Sequence, residues 1–166
     1  PNTANPHAVP SDRVIEKGDF VLMDYGAGYC DYRSDMTRTV VMGEPTQEQL
    51  DLYALVRRTH EECVAAIHPG VEGNDIFKLS KKIIGDAGYG DYYNHGLGHG
   101  VGIDIHELPN FNRSKNTIEV GSVITMEPGV YLPGVGGVRL EDYGVVTENG
   151  YEPFTKTPHD LHVIDC

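Results

Sequence analysis

The sequence is poor in basic residues, in cysteine and in long apolar runs. Lys and Arg number 13 against 25 Asp and Glu, a net charge of −12 that argues against nucleic-acid binding, because phosphate backbones are bound by basic surfaces. The three cysteines, Cys30, Cys63 and Cys166, are widely separated, which predicts neither a disulfide framework nor a cysteine zinc site. No run approaches the roughly 18 apolar residues of a membrane span, and no secretory signal pattern is present, so we expect no membrane segment and a cytoplasmic location.

What remains is typical of a globular core. The 166 residues are 39% hydrophobic with a mean hydropathy of −0.35. The opening segment, PNTANPHAVPSD, lacks an initiator Met and any helix or strand pattern, so we expect an exposed loop and a chain that is a piece of a larger protein. We expect residues 1–166 to form part of one domain.

The order of predicted elements is hairpin, two helices, Gly-His segment, hairpin. Thr46 and Gln49 have capping-box spacing and open the first helix, which stops at Pro69-Gly70, and Gly88 ends the second. This order favours an α+β domain with mostly antiparallel strands. The first hairpin is predicted over residues 19–27 and 33–43, the second helix over about 74–87, and the second hairpin over residues 122–132 and 138–150.

Each predicted hairpin carries two acids. If the first turns at residues 29–30, Asp24 lies opposite Asp35; if the second turns in its Pro/Gly-rich loop, Glu127 lies opposite Glu141. Opposed like charges are destabilising, and acids within apolar strands lose hydration. We therefore expect a positive partner for both pairs.

A single acid could pair with Arg33, Arg38 or Arg139. Two acid pairs together with a glycine-flanked histidine match a divalent-metal site rich in oxygen ligands instead. Four negative charges match two divalent ions, and a pair of such ions can activate a hydrolytic water. The residues thus predict a metal-dependent hydrolase.

The segment HGLGHGVGIDIHE spans residues 95–107. His99 and His106 are seven residues apart, which places them on opposite faces of a regular strand. We expect a bend or bulge, which the surrounding glycines permit, if both are to reach one cleft. Four further histidines are given no functional role. We expect His60 on the helix surface, His68 at a helix end, and His159 and His162 in the C-terminal tail.

Four motifs, in order, resemble one family over essentially the whole chain. MDYGA, SDMTRT, the Gly-His segment and TMEPGVYLPGVGGVRLED are similar to the pita-bread metallopeptidases, which include methionine aminopeptidases, aminopeptidase P and prolidase. The resemblance implies a pita-bread fold, with a curved, mostly antiparallel sheet and flanking helices. It implies that the first helices of the catalytic domain and an N-terminal domain are missing. It also implies a dinuclear metal site, with Asp35 and Glu141 bridging, formed by Asp24, Asp35, His99, Glu127 and Glu141.

Two details favour the Xaa-Pro branch of this family. His95, four residues before His99, and Arg139, two residues before Glu141, are similar to aminopeptidase P and prolidase. The implied activity is hydrolysis of Xaa-Pro peptide bonds, as an Xaa-Pro aminopeptidase or dipeptidase, by a hydroxide that two metal ions activate. The ions are expected to be Mn²⁺, with Co²⁺ or Zn²⁺ as alternatives.

The same resemblance implies residue roles on a peptide whose second residue is proline. Glu127 serves as general base and then acid, and His106 stabilises the oxyanion. His95 and Arg139 hold the prolyl residue, and His7 lines the cleft.

Other functions stay open at the level of sequence. They are a methionine aminopeptidase-like exopeptidase, a creatinase-type hydrolase without metal, and a catalytically silent pita-bread binding module. A homodimer is left open.

Overall fold

A computed structural model describes residues 2–165. Two α-helices, α1 (Gln47–Ala65) and α2 (Gly73–Asp86), lie between two groups of strands, and short 3-10 helices cover Asn2–Ala4 and Gly90–Tyr92. Thr46 caps α1 and forms the expected capping box with Gln49, so this prediction is confirmed. The second helix is also confirmed, one residue earlier at each end than predicted. Cys166 lies outside the described residues.

Twelve strands make up the rest of the regular structure. Several are short, because the chain changes sheet at the points where functional side chains are placed. The strands are β1 (Phe20–Tyr25), β2 (Gly28–Tyr29), β3 (Tyr32–Arg33), β4 (Met36–Met42), β5 (Gly98–Gly100), β6 (Glu107–Phe111), β7 (Val123–Met126), β8 (Gly129–Leu132), β9 (Gly136–Arg139), β10 (Asp142–Thr147), β11 (Gly150–Pro153) and β12 (His162–Ile164).

The strands form one larger sheet, one smaller sheet and two ladders. The five-stranded sheet has the order β11-β10-β7-β5-β6, and the three-stranded sheet has the order β1-β4-β12. Strands β2 and β3 form one ladder, and β8 and β9 the other. All pairings are antiparallel except that of β12 with β4. The predicted α+β class is confirmed, while β12 was not expected in the C-terminal tail.

The predicted register of the first hairpin is wrong by two residues. Asp24 pairs with Thr37, not with Asp35. The two turn residues are Cys30 and Asp31, with φ of 48° and 68°, one residue later than expected. A two-residue turn with two positive φ angles matches the twist of the strands, and Asp tolerates this conformation. Because side chains alternate with period two, the shift leaves Asp24 and Asp35 on one face.

The predicted register of the second hairpin is confirmed on both sides of its acids. Gly129 pairs with Arg139, and Met126 pairs with Asp142, so Glu127 and Glu141 lie opposite each other between these pairs. Each predicted long strand is broken here, and the parts belong to different sheets. The two acids therefore lie at the bend between the five-stranded sheet and the β8–β9 ladder.

The two hairpins meet at an isolated bridge between Thr37 and Glu141. The Glu141 amide donates to the Thr37 carbonyl at 3.1 Å, and the Thr37 amide donates to the Glu141 carbonyl at 3.4 Å. Thr37 lies on β4, two residues after Asp35. This bridge brings the acids of one hairpin beside those of the other.

The hydrophobic core lies between the helices and the concave faces of the strands. Leu52, Val56 and Cys63 of α1 are fully buried, as their helical spacing predicted. His60 is also buried, with 2% of its surface exposed, so its predicted place on the helix surface is wrong. It lies four residues after Val56 and thus on the same helix face. Neither helix among residues 2–165 has the length and apolar content needed to cross a bilayer.

Candidate metal centre

Four predicted ligands converge at the junction of the two hairpins. Ligand atoms of Asp35, His99 and Glu141 all lie within 4.8 Å of one another, and all three residues are buried. The His99 Nε2 atom is 3.4 Å from Glu127 Oε1 and 3.8 Å from Asp35 Oδ2. We call Asp35, His99, Glu127 and Glu141 the acid centre.

The backbone determines which nitrogen of His99 faces the acids. The His99 Nδ1 atom lies 3.0 Å from the Gly100 carbonyl, which can only accept a hydrogen bond. Nδ1 therefore carries the proton, and in the neutral ring Nε2 has a free lone pair directed at the acid centre. Burial, the largest influence, lowers the pKa of His99 and favours this neutral form. This orientation by a carbonyl is typical of metal-binding histidines.

Close backbone approach explains the glycines beside His99. A Cβ atom at Gly98 would lie 2.2 Å from the Thr125 carbonyl oxygen, and one at Gly100 would lie 2.3 Å from that of Leu108. The pairing of β5 with β6 shifts between His99 and Gly100, which is the irregularity expected from the histidine spacing.

The bend brings the second histidine of the segment close to the first. The ring centroids of His99 and His106 are 4.3 Å apart, with the rings inclined at 64°. His106 is exposed, so it lies beside the acid centre on its open side. Its position allows contact with a bound molecule, and its oxyanion role stays a prediction.

The carboxylates of the acid centre carry more negative charge than their surroundings compensate. Burial, and next the charge of Asp24, raises the pKa of Asp35 to about 6. Burial also raises the pKa of Glu127, against the opposing charge of Arg139 and with the charge of Asp35 adding to the rise. The pKa of Glu141 is raised well above its ordinary value by burial and then by Glu127 and Asp35. Metal ions would supply the missing positive charge.

Arg139 is the cation nearest to these acids, and it is almost fully buried. Its Nη2 atom is 2.5 Å from Asp24 Oδ2, and its Nε atom donates to Thr37 Oγ1 at 3.0 Å. Nη1 donates to the Tyr131 hydroxyl at 3.0 Å and to the Pro6 carbonyl at 3.3 Å. Four of the five N–H groups of the guanidinium are thus engaged within the protein. This geometry makes Arg139 a positioning residue for Asp24, and its contact with substrate stays a prediction.

Asp24 lies at the edge of the site rather than inside it. Its side chain is 46% exposed and its carboxylate is held by Arg139. With His7 and Leu22 it lines a cleft of about 550 Å³ between the N-terminal loop and β1. His7 is exposed, and its charge is among those that lower the pKa of His95. The predicted cleft position of His7 is thus consistent with the structure.

His95 is connected to this network through Tyr131, which the sequence analysis missed. The His95 Nδ1 atom is 2.6 Å from the Gly96 carbonyl, so it donates, and Nε2 accepts from the Tyr131 hydroxyl at 2.9 Å. Burial, the largest influence, lowers the pKa of His95 to about 4, so the ring is neutral at pH 7. Tyr131 thus accepts from Arg139 and donates to His95. Its position in GVYLPG gives no signal of this role.

Thr37 is the second residue that the sequence analysis missed. Its hydroxyl donates to Glu141 Oε2 at 2.7 Å and accepts from Arg139 Nε at 3.0 Å. It therefore fixes the orientation of a predicted metal ligand and of the neighbouring cation. The alternation of side chains along SDMTRT, which places Asp35 and Thr37 on one face, is the signal that could have identified it.

The acid centre fits divalent metal ions. The donor set has three carboxylates and one imidazole whose free nitrogen faces them, the hard-oxygen composition that Mn²⁺ and similar ions prefer. The pKa values of Asp35, Glu127 and Glu141 are all raised, which shows that their negative charges are unfavourable in this site and that bound cations would stabilise them.

Comparisons with known proteins identify the family of the chain. Residues 1–148 match the description of metallopeptidase family M24. The Xaa-Pro dipeptidase of Pyrococcus furiosus is 46% identical over 160 residues, covering 96% of this chain and 46% of that protein. The chain thus spans about half the length of the curated relatives it matches.

Solved structures share the fold. The Xaa-Pro dipeptidase from Bacillus anthracis matches with a TM-score of 0.94 and 42% identity, and the X-Pro aminopeptidase from Thermotoga maritima with a TM-score of 0.94 and 36% identity. Both matches cover 98% of this chain and 46% of the solved chain. The predicted pita-bread architecture is therefore confirmed, and the chain belongs to metallopeptidase family M24.

Proposed function

We propose that the protein hydrolyses Xaa-Pro peptide bonds as a metal-dependent exopeptidase. The observation that carries this proposal is the acid centre: the buried carboxylates of Asp35 and Glu141 and the partly buried one of Glu127, all with raised pKa values, face the free nitrogen of His99. The similarity to Xaa-Pro dipeptidases supports the substrate class.

We propose that two divalent ions bind to this site, with Mn²⁺ first and Co²⁺ or Zn²⁺ as alternatives. The ligands would be Asp24, Asp35, His99, Glu127 and Glu141, with Asp35 and Glu141 shared between the ions. When bound, such ions activate water at neutral pH and polarise the carbonyl of the scissile bond. The oxygen-rich donor set supports Mn²⁺ as the first choice.

Glu127 would carry the proton during hydrolysis. Burial and the neighbouring acids raise its pKa, which brings this carboxyl closer to the operating pH of a general base and acid. It would take a proton from the attacking water and deliver it to the prolyl nitrogen as the peptide bond breaks. Thr125 hydrogen-bonds to this side chain and Arg139 Nε lies 4.0 Å from Glu127 Oε2, while the Glu127 amide donates to the Leu97 carbonyl at 2.8 Å and fixes the backbone.

The residues around the centre would bind and orient the peptide. His106, exposed beside His99, would donate to the oxyanion that forms on the scissile carbonyl. His95 and His7 would contact the residues flanking the bond, and Arg139 would orient Asp24 near the free amine of the peptide.

The alternatives are less favoured. Methionine aminopeptidase-like cleavage and a silent binding module both fit the fold, yet the relatives described above are Xaa-Pro peptidases, and the ligand set is complete. A dipeptidase and an aminopeptidase differ only in the length of peptide accepted, so both stay within this proposal.

We further propose that residues 1–166 contribute the metal-binding part of a catalytic domain, because the similarity covers 46% of the relative from Pyrococcus furiosus. A cytoplasmic location and a homodimeric state complete the proposal. The exposed apolar side chains Val9, Val14 and Ile15 support association of this face with another surface.

The test is hydrolysis of Ala-Pro, Ala-Pro-Ala and Met-Ala by the purified protein, after chelation and again with added Mn²⁺, Co²⁺ or Zn²⁺. We expect cleavage of the first two peptides only with metal. Calorimetry should give about two equivalents of Mn²⁺ for two ions in one site.

Asp35→Asn should abolish both activity and Mn²⁺ binding. Asp31→Asn is the matched control, since Asp31 is an exposed turn residue whose conformation Asn also adopts. Cleavage of Met-Ala in preference to Ala-Pro, or activity that survives both chelation and Asp35→Asn, would overturn the proposal.

A further inference from the structure

A second group of ligand-type side chains lies on the other side of the strand that carries Glu141. His60 of α1, Asp142 of β10 and His159 of the segment before β12 offer ligand atoms that all lie within 4.8 Å of one another. We call these three residues the histidine cluster. None of them belongs to the acid centre.

His60 has a buried ring without the hydrogen bonds that such a ring normally makes. The residue is 2% exposed, and neither ring nitrogen has a hydrogen-bond partner among residues 2–165. Its Nε2 atom points at Asp142 Oδ2 from 3.6 Å. A buried polar group left unpaired is costly, so this arrangement favours a bound partner for the His60 ring.

One of the two carboxylate oxygens of Asp142 is positioned to bind a metal ion. Arg38 Nη2 donates to Oδ1 at 2.7 Å, while Oδ2 faces both histidines. Arg38 also donates to the carbonyls of Thr157 and Pro158, which anchors the segment that carries His159. A carboxylate oriented in this way by a second group is typical of metal sites.

His159 completes the cluster and opens it to solvent. Its Nε2 atom donates to Asp142 Oδ2 at 2.6 Å, and its side chain is 25% exposed. The rings of His60 and His159 meet edge to face, with centroids 4.9 Å apart. Two donors of a tetrahedral zinc site lie about 3.3 Å apart, so His60 is already near that spacing and His159 would move outward by roughly 0.7 Å.

We propose that His60, Asp142 and His159 form a third metal site, for a transition ion such as Zn²⁺, with water in the remaining position. Two imidazoles and one carboxylate are ligand types that suit Zn²⁺, whereas Mn²⁺ binds an N/O site more weakly than Zn²⁺ and favours sites with more oxygen donors, such as the acid centre. The ion takes the place of the proton between His159 and Asp142 and gives His60 its missing partner. It joins α1, β10 and the C-terminal segment behind Glu141.

Metal preference separates this site from the acid centre. The purified protein is loaded with Mn²⁺ or Zn²⁺, freed of excess ion by gel filtration, and measured by elemental analysis. We expect two equivalents of Mn²⁺ but three of Zn²⁺. His159→Gln should lose one equivalent of Zn²⁺ and none of Mn²⁺, whereas His162→Gln, an exposed histidine on β12, should lose neither.

The proposal does not depend on the activity proposed above. Asp35→Asn should remove ions from the acid centre and leave one equivalent of Zn²⁺, so failure of one site is distinguishable from failure of the other. Equal Zn²⁺ content in the parent protein and in His159→Gln would overturn the third site.

A measurement without any substitution guards against a variant that does not fold. In protein labelled with ¹⁵N-histidine, added Zn²⁺ should shift the Nε2 resonances of His60 and His159 together. Resonances of these two rings that stay unchanged while those of His99 move would contradict the proposal.

Discussion

Glu141 and Asp142 are adjacent acids, each 2% exposed, with opposite electrostatic surroundings. Glu141 faces the acid centre, and its pKa is raised well above the ordinary value by burial and by Glu127 and Asp35. Burial would raise the pKa of Asp142 too, but hydrogen bonds from His159 and Arg38 outweigh it and lower that pKa. Successive residues of an extended chain point to opposite sides, which makes this contrast possible within one dipeptide.

The contrast separates an acid whose charge the protein itself compensates from one whose charge it leaves uncompensated. Asp142 has an ion pair with Arg38 and serves the fold before any metal binds. Glu141 has one hydroxyl donor, Thr37, and its charge is opposed by neighbouring acids. Uncompensated buried acids weaken the fold and are typical of sites that bind cations or move protons.

The largest expected effect is on catalysis at the acid centre. Glu127→Gln removes the proton carrier and should lower kcat for Ala-Pro about 10²–10⁴-fold. Glu148→Gln, an exposed acid between β10 and β11, is the control and should retain parental kcat. Steady-state kinetics at saturating metal provide the measurement, and a Glu127→Gln enzyme within twofold of the parent would contradict the assignment.

The second prediction contrasts the adjacent acids directly in the metal-free protein. Asp142→Asn leaves the buried Arg38 without its ion pair and should reduce the free energy of unfolding by about 3–5 kcal/mol. Glu141→Gln removes a charge that its neighbours oppose and should leave stability at pH 7 unchanged or increased. Urea unfolding after chelation measures both.

The same two variants can also contradict the proposed difference between the surroundings of Glu141 and Asp142. If Glu141→Gln destabilises the metal-free protein as much as Asp142→Asn does, the two sides of the strand are equally compensated. Far-ultraviolet circular dichroism of each variant establishes that both are folded before unfolding begins.

The third prediction concerns pH. Asp35 has a pKa of about 6 when folded and roughly 3.9 when unfolded, so between these values the folded state keeps a proton that the unfolded state has lost. The contribution of Asp35 to the stability of the metal-free protein should therefore fall as pH rises from 4 to 6, by about 2 kcal/mol. Asp142 acts in the opposite sense, because its lowered pKa makes stability fall as pH drops below about 4.

Thermal unfolding of the chelated protein at pH 4.5 and pH 7 provides the measurement. His60 and His95, whose pKa values burial lowers to about 4, favour stability at the higher pH, so the Asp35 contribution is read from the difference between parent and variant. Between pH 7 and pH 4.5 the parent should gain about 2 kcal/mol of stability relative to Asp35→Asn. An identical pH dependence in the two proteins would show that Asp35 titrates normally in the folded state.

The smallest expected effect is that of Thr37, which contacts both Glu141 and Arg139. Thr37→Val removes the hydroxyl that holds Glu141 and Arg139, and should weaken Mn²⁺ affinity about 10–100-fold. Thr39→Val is the matched control: Thr39 is equally buried on β4, but its hydroxyl contacts only the Arg139 backbone. Calorimetric Mn²⁺ titrations should separate them, and equal affinities would assign Thr37 a purely structural role.

Local patterns were sufficient to predict the start of α1, the position of α2 and one hairpin register, whereas α1 ends at Ala65, before the predicted stop at Pro69-Gly70. The capping box at Thr46 and the Gly-rich loop of the second hairpin are short-range features that act in the same way in most folds. The first register failed by two residues because several turn positions in GYCDY are sterically acceptable, and strand twist selects among them.

The candidate site was predicted in its ligand types but not in its supporting residues. Thr37 and Arg38 act through contacts with residues 104 positions away, and Tyr131 through one 8 positions away. Strand alternation places Thr37 on the face of Asp35, but no local pattern identifies these partners. The histidine cluster was missed for the same reason, since His60 and His159 come together only through tertiary packing.

The sequence by itself determined the chemistry available: acids in apolar strands, a histidine between glycines, and motifs similar to one metallopeptidase family. Local sterics and hydration penalties act within a few residues, so these properties can be read from the chain. Only the tertiary structure decided which acids share a cleft and which receive an arginine. That decision depends on the Thr37–Glu141 bridge, which joins residues 104 positions apart and separates the environments of two adjacent acids.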